Sequence, residues 1–190
     1  MKKILCILLC FVFCISFSAC GKQTDTDGGN KGMIDDYAAR GEVPELRVKL
    51  GTAPQDAIND YDLAATEQNN EDLKLFKTEG QTAVNLSNGQ HSFYYEKARE
   101  GDGISVIAIT GGKAFGLDLA HNTTQSDVEA KLEANFTIST PTADQLYFLP
   151  GAVDGGELMS CTLGDVSLKF FFFDGFLSAV TLTNTVFWAE

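Results

Sequence analysis

Beyond residue 50, the spacing of hydrophobic positions alternates between a helical and a strand-like period. Thr52-Ala-Pro-Gln55 has the form of a capping box, and the apolar spacing after it predicts a helix over residues 54–65. Thr124-Gln-Ser-Asp127 has the same form and predicts a second helix over residues 125–135. A shorter helix is predicted over residues 71–77.

Each of the two main helices precedes short apolar runs separated by turn pairs such as Asn88-Gly89 and Asp174-Gly175, which are typical of antiparallel hairpins. The runs predict strands over residues 82–86, 90–97, 104–110 and 113–119 in the first half, and over 145–149, 157–163, 166–173 and 176–183 in the second. The predicted fold class is therefore α+β, with two tandem repeats of a helical segment followed by a four-stranded antiparallel meander.

The last predicted hairpin of each half can be aligned on its turn, with Gly112 placed on Gly175. The alignment superposes apolar positions of one hairpin on those of the other: Ile107 on Phe170, Ile109 on Phe172, Leu117 on Val180 and Leu119 on Leu182. It predicts that both halves turn a shared apolar face inward.

This recurring unit of a helix, an apolar strand, a Gly-Gly or Asp-Gly turn and another apolar strand resembles the β-lactamase-inhibitor-protein-like (BLIP-like) fold over about residues 45 to 185. The fold is common in small bacterial lipoproteins. The resemblance implies helices on one face of a joint sheet, with the opposite face concave and open. In members whose function is known, that open face binds protein partners. An unrelated α+β sandwich predicts the same local signals and stays open as an alternative.

Strand parity identifies a candidate binding face. Val166, Leu168, Phe170 and Phe172 share one side of their strand, which we expect to meet the helices. The other side gives an aromatic patch whose candidate members are Phe171, Phe173, Leu177, Tyr94 and Trp188. The alternative is that a C-terminal tail containing Phe187 and Trp188 covers Phe171 and Phe173.

The N-terminal residues 1–19 are typical of a signal peptide, with Lys2 and Lys3 before an apolar run too short to span a bilayer. The run ends in Phe17-Ser-Ala-Cys20, which resembles the lipobox of bacterial lipoproteins, although Phe17 stands where Leu is usual. The resemblance implies that Cys20 is the lipidation site and the mature N-terminus. The alternatives are an ordinary signal peptide with a chance cysteine and, less favoured, a membrane helix. We expect a lipid anchor to hold the protein on a cell membrane, facing outside the cytoplasm.

Domain organisation follows from composition. Residues 20–44 are predicted to comprise the lipidated cysteine and a flexible linker, because Gly21 to Glu42 are polar and rich in Gly and Asp. Residues 45–190 are predicted to form a single domain, with repeat one at about 45–119 and repeat two at about 120–184.

The net charge of −12 arises from 26 acidic and 14 basic residues. Such a surface repels nucleic acid and anionic lipid head groups, so neither is expected as a partner. We interpret the acidity as favouring solubility rather than a specific basic partner.

No catalytic motif stands out. Cys161 is the only cysteine after Cys20, and a nucleophilic thiol needs a base, for which only His91 and His121 exist. We interpret Cys161 as a small core or half-buried residue and expect no metal, no cofactor and no enzyme activity. The predicted function is a tethered protein-binding or scaffold module that uses the open sheet face, with a protein or peptide partner. The alternative is a small-ligand-binding or envelope-assembly accessory lipoprotein.

Overall fold

The computed structural model describes residues 31–69, 77, 81–119, 122–142, 145–146 and 155–186. Its helices are α1 (Met33–Ala39), α2 (Pro54–Tyr61) and α3 (Gln125–Glu129), and a 3₁₀ segment spans Lys97–Asp102. Its strands are β1 (Ala64–Asn69), β2 (Thr82–Ser87), β3 (His91–Glu96), β4 (Val106–Ile109), β5 (Lys113–Ala114), β6 (Leu117–Asp118), β7 (Thr137–Ser139), β8 (Glu157–Leu163), β9 (Val166–Phe173) and β10 (Phe176–Asn184). The chain is therefore mainly antiparallel sheet with few helices, in agreement with the α+β class.

Eight of these strands form one sheet in the order β1-β2-β3-β4-β10-β9-β8-β7. Each neighbouring pair is antiparallel. The two central strands, β4 and β10, join the two halves of the chain, with Ile109 opposite Val180 and Ile107 opposite Leu182. β5 and β6 form a separate two-stranded ribbon.

The helices pack on one side of this sheet, which we call the helix face. Ile34 of α1, Ala57 of α2 and Val128 of α3 belong to one apolar cluster with alternate residues of the strands. The predicted inward residues Val166, Leu168, Phe170 and Phe172 lie in this cluster, as do Ile107, Ile109, Leu117, Leu119, Val180 and Leu182. Burial of this apolar surface is the main force that holds helices and sheet together.

The folded domain begins before residue 45, so the predicted linker over residues 20–44 is wrong from about residue 32 onwards. Ile34 and Ala38 are fully buried, because four positions apart they share the face of α1 that packs on the sheet. Asp35 accepts hydrogen bonds from the backbone N–H groups of Glu133 (2.8 Å) and Ala134 (2.7 Å). Composition did not predict α1 because this segment is mainly polar. The contacts of Ile34, Ala38 and Asp35 are enough to hold the helix on the sheet once the rest of the core has formed. Residues 1–30, with the predicted signal peptide and Cys20, lie outside the described ranges.

The predicted strand over residues 113–119 is also wrong. Phe115 and Gly116 have φ angles of 55° and 69°, which reverse the chain so that β5 pairs with β6. The carboxylate of Glu45 accepts hydrogen bonds from the backbone N–H groups of Phe115 (2.9 Å) and Gly116 (2.6 Å) and secures this turn. The alignment of Gly112 on Gly175 is therefore wrong, because the main-sheet partners of β4 are β3 and β10.

Several element boundaries differ from the predictions. α2 ends at Tyr61 because Asp62 adopts a left-handed conformation (φ 51°), and α3 ends at Glu129 rather than residue 135. The edge strands β1 and β7 are short and largely polar, and the sequence pattern predicted neither. The N–H of Leu146 donates to the carbonyl of Thr142, which places Leu146 in a turn. No strand therefore begins at residue 145. Residues 147–149 and most of the predicted 71–77 helix lie outside the described ranges.

Candidate functional site

Small and hydroxyl-bearing side chains line the side of the sheet opposite α1, α2 and α3, which we call the helix-free face because none of these three described helices packs on it. Cross-strand pairing places one row across all eight strands: Ala64, Ser87, Ser92, Ala108, Thr181, Lys169, Ser160 and Thr137. The hydroxyls near both ends are hydrogen-bonded in pairs, with 3.0 Å between Ser92 Oγ and Ser87 Oγ and 3.0 Å between Thr137 Oγ1 and Ser160 Oγ. The row contains one cation, the half-buried Lys169.

The centre of the helix-free face is buried rather than open. Tyr94 is 3% exposed, and Thr181 and Thr183 are almost inaccessible. The expectation of an open face is therefore wrong at the centre of the sheet, and Tyr94 is not an exposed anchor. Strand parity reports the side to which a residue points, but it carries no information about what lies over that side.

The structure does not place the other predicted members of the aromatic patch together on one accessible surface. Phe171 faces away from the helices as predicted but is only 1% exposed, since it packs with Leu158 and Ala179 under Leu146. Leu177 lies on the helix face, fully buried, and its assignment to the binding face is wrong. The reason is a β-bulge: Leu177 pairs with Phe172 whereas Ala179 pairs with Phe171, so Ser178 is the extra residue that reverses the alternation. Trp188, and with it the tail alternative, lies outside the described residues.

An accessible aromatic pair lies at the end of the β9–β10 hairpin. Asp174 and Gly175, with φ angles of 51° and 82°, form its two-residue turn. Phe173 and Phe176 are directly opposite each other, so both point to the helix-free face; Phe173 is half-buried and Phe176 is 42% exposed. We define the tip patch as these two rings and the buried floor beneath them: Phe171, Leu158 and Ala179, with Leu146 at the side.

Phe176 was missed because the predicted face was counted from Leu177, on the far side of the turn. The sequence of the turn was sufficient to predict the face to which Phe176 points. Two residues of Asp-Gly type predict a tight hairpin, and a tight hairpin pairs the residue before the turn with the residue after it. Phe176 must therefore share the face of Phe173.

A glycine positions the Phe173 ring. Gly156 has a φ of 94°, and a Cβ atom there would stand 2.5 Å from the Phe172 carbonyl oxygen and 3.0 Å from the Cδ1 and Cε1 atoms of Phe173. Only glycine tolerates both this backbone conformation and this proximity. The start of β8 therefore fits against one side of the tip patch.

The carboxylates near the end of the hairpin lie on different sides of the sheet. Asp174 in the turn and Glu157 at the start of β8 are exposed, and neither forms a salt bridge among the described residues. Glu157 is opposite Phe172 and therefore points to the helix face, away from the tip patch. The Leu177 N–H donates to the Thr123 carbonyl (2.8 Å), which brings the hairpin end close to the first turn of α3 and its Asp127. The nearest cation along β9 is Lys169, four residues from Phe173 and thus about 13 Å away along the strand.

Cys161 and His91 are not arranged as a nucleophile and its base. Cys161 lies in the core, as predicted, and burial together with the nearby negative charge of Asp35 raises its pKa to about 11. His91 is half-buried on the helix face, with ring centroids 5.5 Å from Tyr61, and burial lowers its pKa. Strands β4, β10 and β9 separate β3 from β8, a distance of about 19 Å at ~4.8 Å per strand. His121 lies outside the described residues.

A cleft of about 400 Å³ lies between β6 and α3, lined mainly by polar residues including Asp118, Asn122, Asp127 and Lys131. The carboxylate of Asp127 caps α3, where it accepts hydrogen bonds from both the N–H and the hydroxyl of Thr124.

Across the described ranges, no three His, Cys, Asp or Glu side chains lie close enough together to bind a metal ion. No helix within those ranges has the length and apolar character needed to cross a bilayer.

Comparisons with known proteins give no relative from which a function can be transferred. No family model matches the chain, and no curated protein or solved structure is significantly similar to it. The resemblance to the BLIP-like fold therefore stays a prediction.

Proposed function

We propose that this protein is a lipid-tethered, extracytoplasmic binding module that holds a protein or peptide partner at the tip patch. The observation that carries the proposal is the pair of accessible rings, Phe173 and Phe176, on a buried apolar floor at the end of the β9–β10 hairpin. Single exposed apolar residues are ordinary, but a contiguous aromatic patch on a supported surface is typical of binding hot spots.

Strand register supports the proposed tandem repeat. His91 pairs with Ile109 in the first half, and residues 75 positions later, Val166 and Asn184, pair in the second. The helices follow the same plan, since Pro54 begins α2 and Gln125, 71 positions later, begins α3. This internal correspondence favours a duplicated helix-plus-four-strand unit of the BLIP-like kind over an unrelated sandwich.

The tip patch lies where the two halves diverge. At the same offset of 75 positions, the last residue of β3, Glu96, corresponds to Phe171, yet β9 continues to Phe173. Likewise the first residue of β4, Val106, corresponds to Thr181, whereas β10 already begins at Phe176. The extension that presents Phe173 and Phe176 therefore has no counterpart in the first half. The first half forms its part of the sheet without such an extension. A role in binding therefore explains the extension of the second half better than a role in the core that both halves share.

The proposed tether joins the domain on the side of the helices. The Gly32 N–H donates to the Lys131 carbonyl (3.1 Å), so the chain enters beside the residues that follow α3. Ten residues lie between Cys20 and Lys31, so eleven residue-to-residue steps span at most about 40 Å when fully extended. The linker would therefore join the domain on the side of the sheet opposite the face to which Phe173 and Phe176 point.

Catalysis and small-ligand capture have weaker support. We propose no enzyme activity, because the thiol of Cys161 and the imidazole of His91 lie several strands apart. A small-ligand-binding lipoprotein would use the cleft between β6 and α3, whose size suits a metabolite. We favour the tip patch because the cleft is mainly polar and Asp127, one of its charged groups, already caps α3.

Photo-crosslinking in intact cells tests the binding proposal. A photoreactive phenylalanine analogue at position 176 should yield discrete crosslinked protein species, and a serine at position 173 in the same chain should abolish them. The matched control is the analogue at Ile138, which is 49% exposed but lies on edge strand β7, away from the tip patch. Identical crosslinks from positions 176 and 138, or none from position 176, would contradict the proposal.

Metabolic labelling tests the tether. Cells fed an alkyne-bearing fatty acid should label the wild-type chain, and Cys20→Ser should remove the label and release the protein from the membrane fraction. Retention of label in Cys20→Ser would refute lipidation at this residue.

A further inference from the structure

We propose that the last four residues, 187–190, which we call the tail, dock on the helix-free face where the two halves of the sheet meet, and that Trp188 donates its indole N–H to Asn85. This inference concerns a contact within the chain and does not depend on the proposed binding function. It comes from a row of buried side chains that α1, α2 and α3 do not cover, and from one buried acceptor in that row.

The docking surface is a row of cross-strand neighbours on β2, β3, β4 and β10. We define this joint row as Asn85, Tyr94, Val106 and Thr183, each of which pairs with the next. Residues adjacent to them in each strand belong to the apolar cluster on the helix face. Because side chains alternate along a strand, the joint row points to the helix-free face.

The joint row is more deeply buried than a single sheet layer explains. Tyr94, Val106 and Thr183 are each at most 3% exposed. The three described helices pack on the other side of the sheet, and Leu146 packs against Phe171, about 13 Å away along the strands. A sheet face open to water would leave a tyrosine largely accessible, so a second layer covers the joint row.

One polar atom of the joint row identifies the chemistry of the cover. The side-chain oxygen Oδ1 of Asn85 is buried and accepts no hydrogen bond from any described residue. Such atoms are rare in folded proteins, because a buried acceptor loses its hydrogen bonds to water and needs a replacement. Tryptophan supplies both a large apolar ring and an N–H that acts only as a donor.

The tail begins beside the joint row, directly after β10. The chain turns after Asn184, and the Thr185 N–H donates to the Asp165 carbonyl (2.8 Å). Four residue-to-residue steps from Asn184 to Trp188 span at most about 14 Å. Asn85 lies three strand spacings from β10, which is also about 14 Å. The length of the indole side chain allows for the turn, so Trp188 can reach Asn85.

The longer stretches outside the described ranges begin farther from the centre of the sheet. Residues 70–76 follow the edge strand β1, and residues 147–154 follow Leu146 beside the tip patch. Residues 1–30 precede Gly32, which bonds to the segment after α3 on the helix face. The tail instead continues from a central strand, and two of its four residues are aromatic.

The same reach excludes the tip patch as a docking position for the tail. Phe173 is opposite Phe176, which is about 26 Å from Asn184 along β10. Six steps from Asn184 to Glu190 span at most about 21 Å. A docked tail therefore leaves the rings of Phe173 and Phe176 accessible.

Tryptophan fluorescence tests the inference without a substitution, because Trp188 is the only tryptophan in the chain. With the full chain in non-ionic detergent, the native emission maximum should lie at a shorter wavelength than in urea, and acrylamide should quench the native emission several-fold less. Asn85→Leu removes the acceptor and should increase this quenching, whereas Asn85→Asp keeps an acceptor and should not. Native emission and quenching equal to those in urea would overturn the proposal.

Nitroxide labels locate the indole, since they quench tryptophan only at close range. Thr66 and Thr162 are exposed and lie at opposite ends of the row that contains Asn85. A label on Thr66→Cys is one strand from Asn85 and should quench Trp188 strongly, whereas a label on Thr162→Cys is five strands away and should quench it little. Both chains carry serine in place of Cys6, Cys10, Cys14 and Cys20. Weak quenching from residue 66, as expected for a tail inserted in the detergent micelle, would overturn the placement.

Truncation tests the contribution of the tail to stability. A chain that ends at Val186 should melt about 5 °C lower or more, because the joint row loses its cover. The matched control ends at Trp188 and should melt as the full chain does. An unchanged melting temperature after truncation at Val186 would overturn the proposal and assign the cover to residues 70–76 or 147–154. Crosslinking from position 176 is a separate measurement, so this inference and the binding proposal fail independently.

Discussion

Replacing Asp35 by alanine should destabilise the fold by about 2 to 3 kcal/mol, because its carboxylate binds two backbone N–H groups of a distant segment. The bonds from Glu133 and Ala134 measure 2.8 and 2.7 Å and connect α1 to residues almost a hundred positions later. A hydrogen bond to a charged group contributes about 1.5 to 3 kcal/mol when buried, and water can partly replace these two because Asp35 is half-buried. In a domain of this size, each kcal/mol lowers the melting temperature by about 2 to 4 °C, so urea and thermal unfolding resolve the change.

The adjacent Asp36 provides the matched control. It carries the same charge in the same first turn of α1, but it is exposed and bonds to no described backbone group through its side chain. Asp36→Ala should change the free energy of unfolding by no more than about 0.5 kcal/mol. Equal effects of the two substitutions would refute the view that α1 is fastened into the domain through Asp35.

Three further predictions follow from burial. Phe171→Ala should cost about 3 to 5 kcal/mol in unfolding experiments whereas Phe176→Ala should cost less than about 1, and comparable losses would mean that Phe171 is not buried beneath the tip patch. Burial lowers the pKa of His91 below its ordinary 6.5, so the folded state disfavours the protonated imidazole. The urea midpoint of unfolding should therefore fall as pH decreases from 6.5 towards the folded-state pKa, and His91→Gln should remove this pH dependence. The thiol of Cys161, whose pKa is about 11, should react with a disulfide reagent at mildly alkaline pH only after the protein unfolds. The experiment uses a variant in which Cys6, Cys10, Cys14 and Cys20 are replaced by serine, and rapid reaction of its native state would contradict the burial of Cys161.

Much of the local structure could be predicted from the sequence. Thr124 and Asp127 form the capping box that their spacing predicts, and α3 begins directly after Thr124. The strands β8, β9 and β10 lie within a residue of their predicted ranges, because alternating apolar positions and turn residues such as Asp174-Gly175 act over a few residues. Placement of Phe170 and Phe172 in the core was predicted for the same reason.

The candidate site was only partly predictable because it depends on pairing between strands. The bulge at Ser178 moves Leu177 to the helix face, and no feature of that segment alone specifies where β9 places its opposing residues. Phe171 is buried among residues of other segments, Leu158 of β8, Ala179 of β10 and Leu146, and the pattern of its own strand does not specify these neighbours.

The sequence by itself determined where the chain can turn, which residues alternate along each strand and how strongly acidic the second half is, since composition and local spacing carry these properties. Only the tertiary structure decided that the segment around α1 belongs to the core, that residues 113–119 leave the main sheet and that Phe176, rather than Phe171, is the accessible ring. Each of these outcomes depends on contacts between residues far apart in the chain, and the free energy of such contacts has no counterpart in any local pattern.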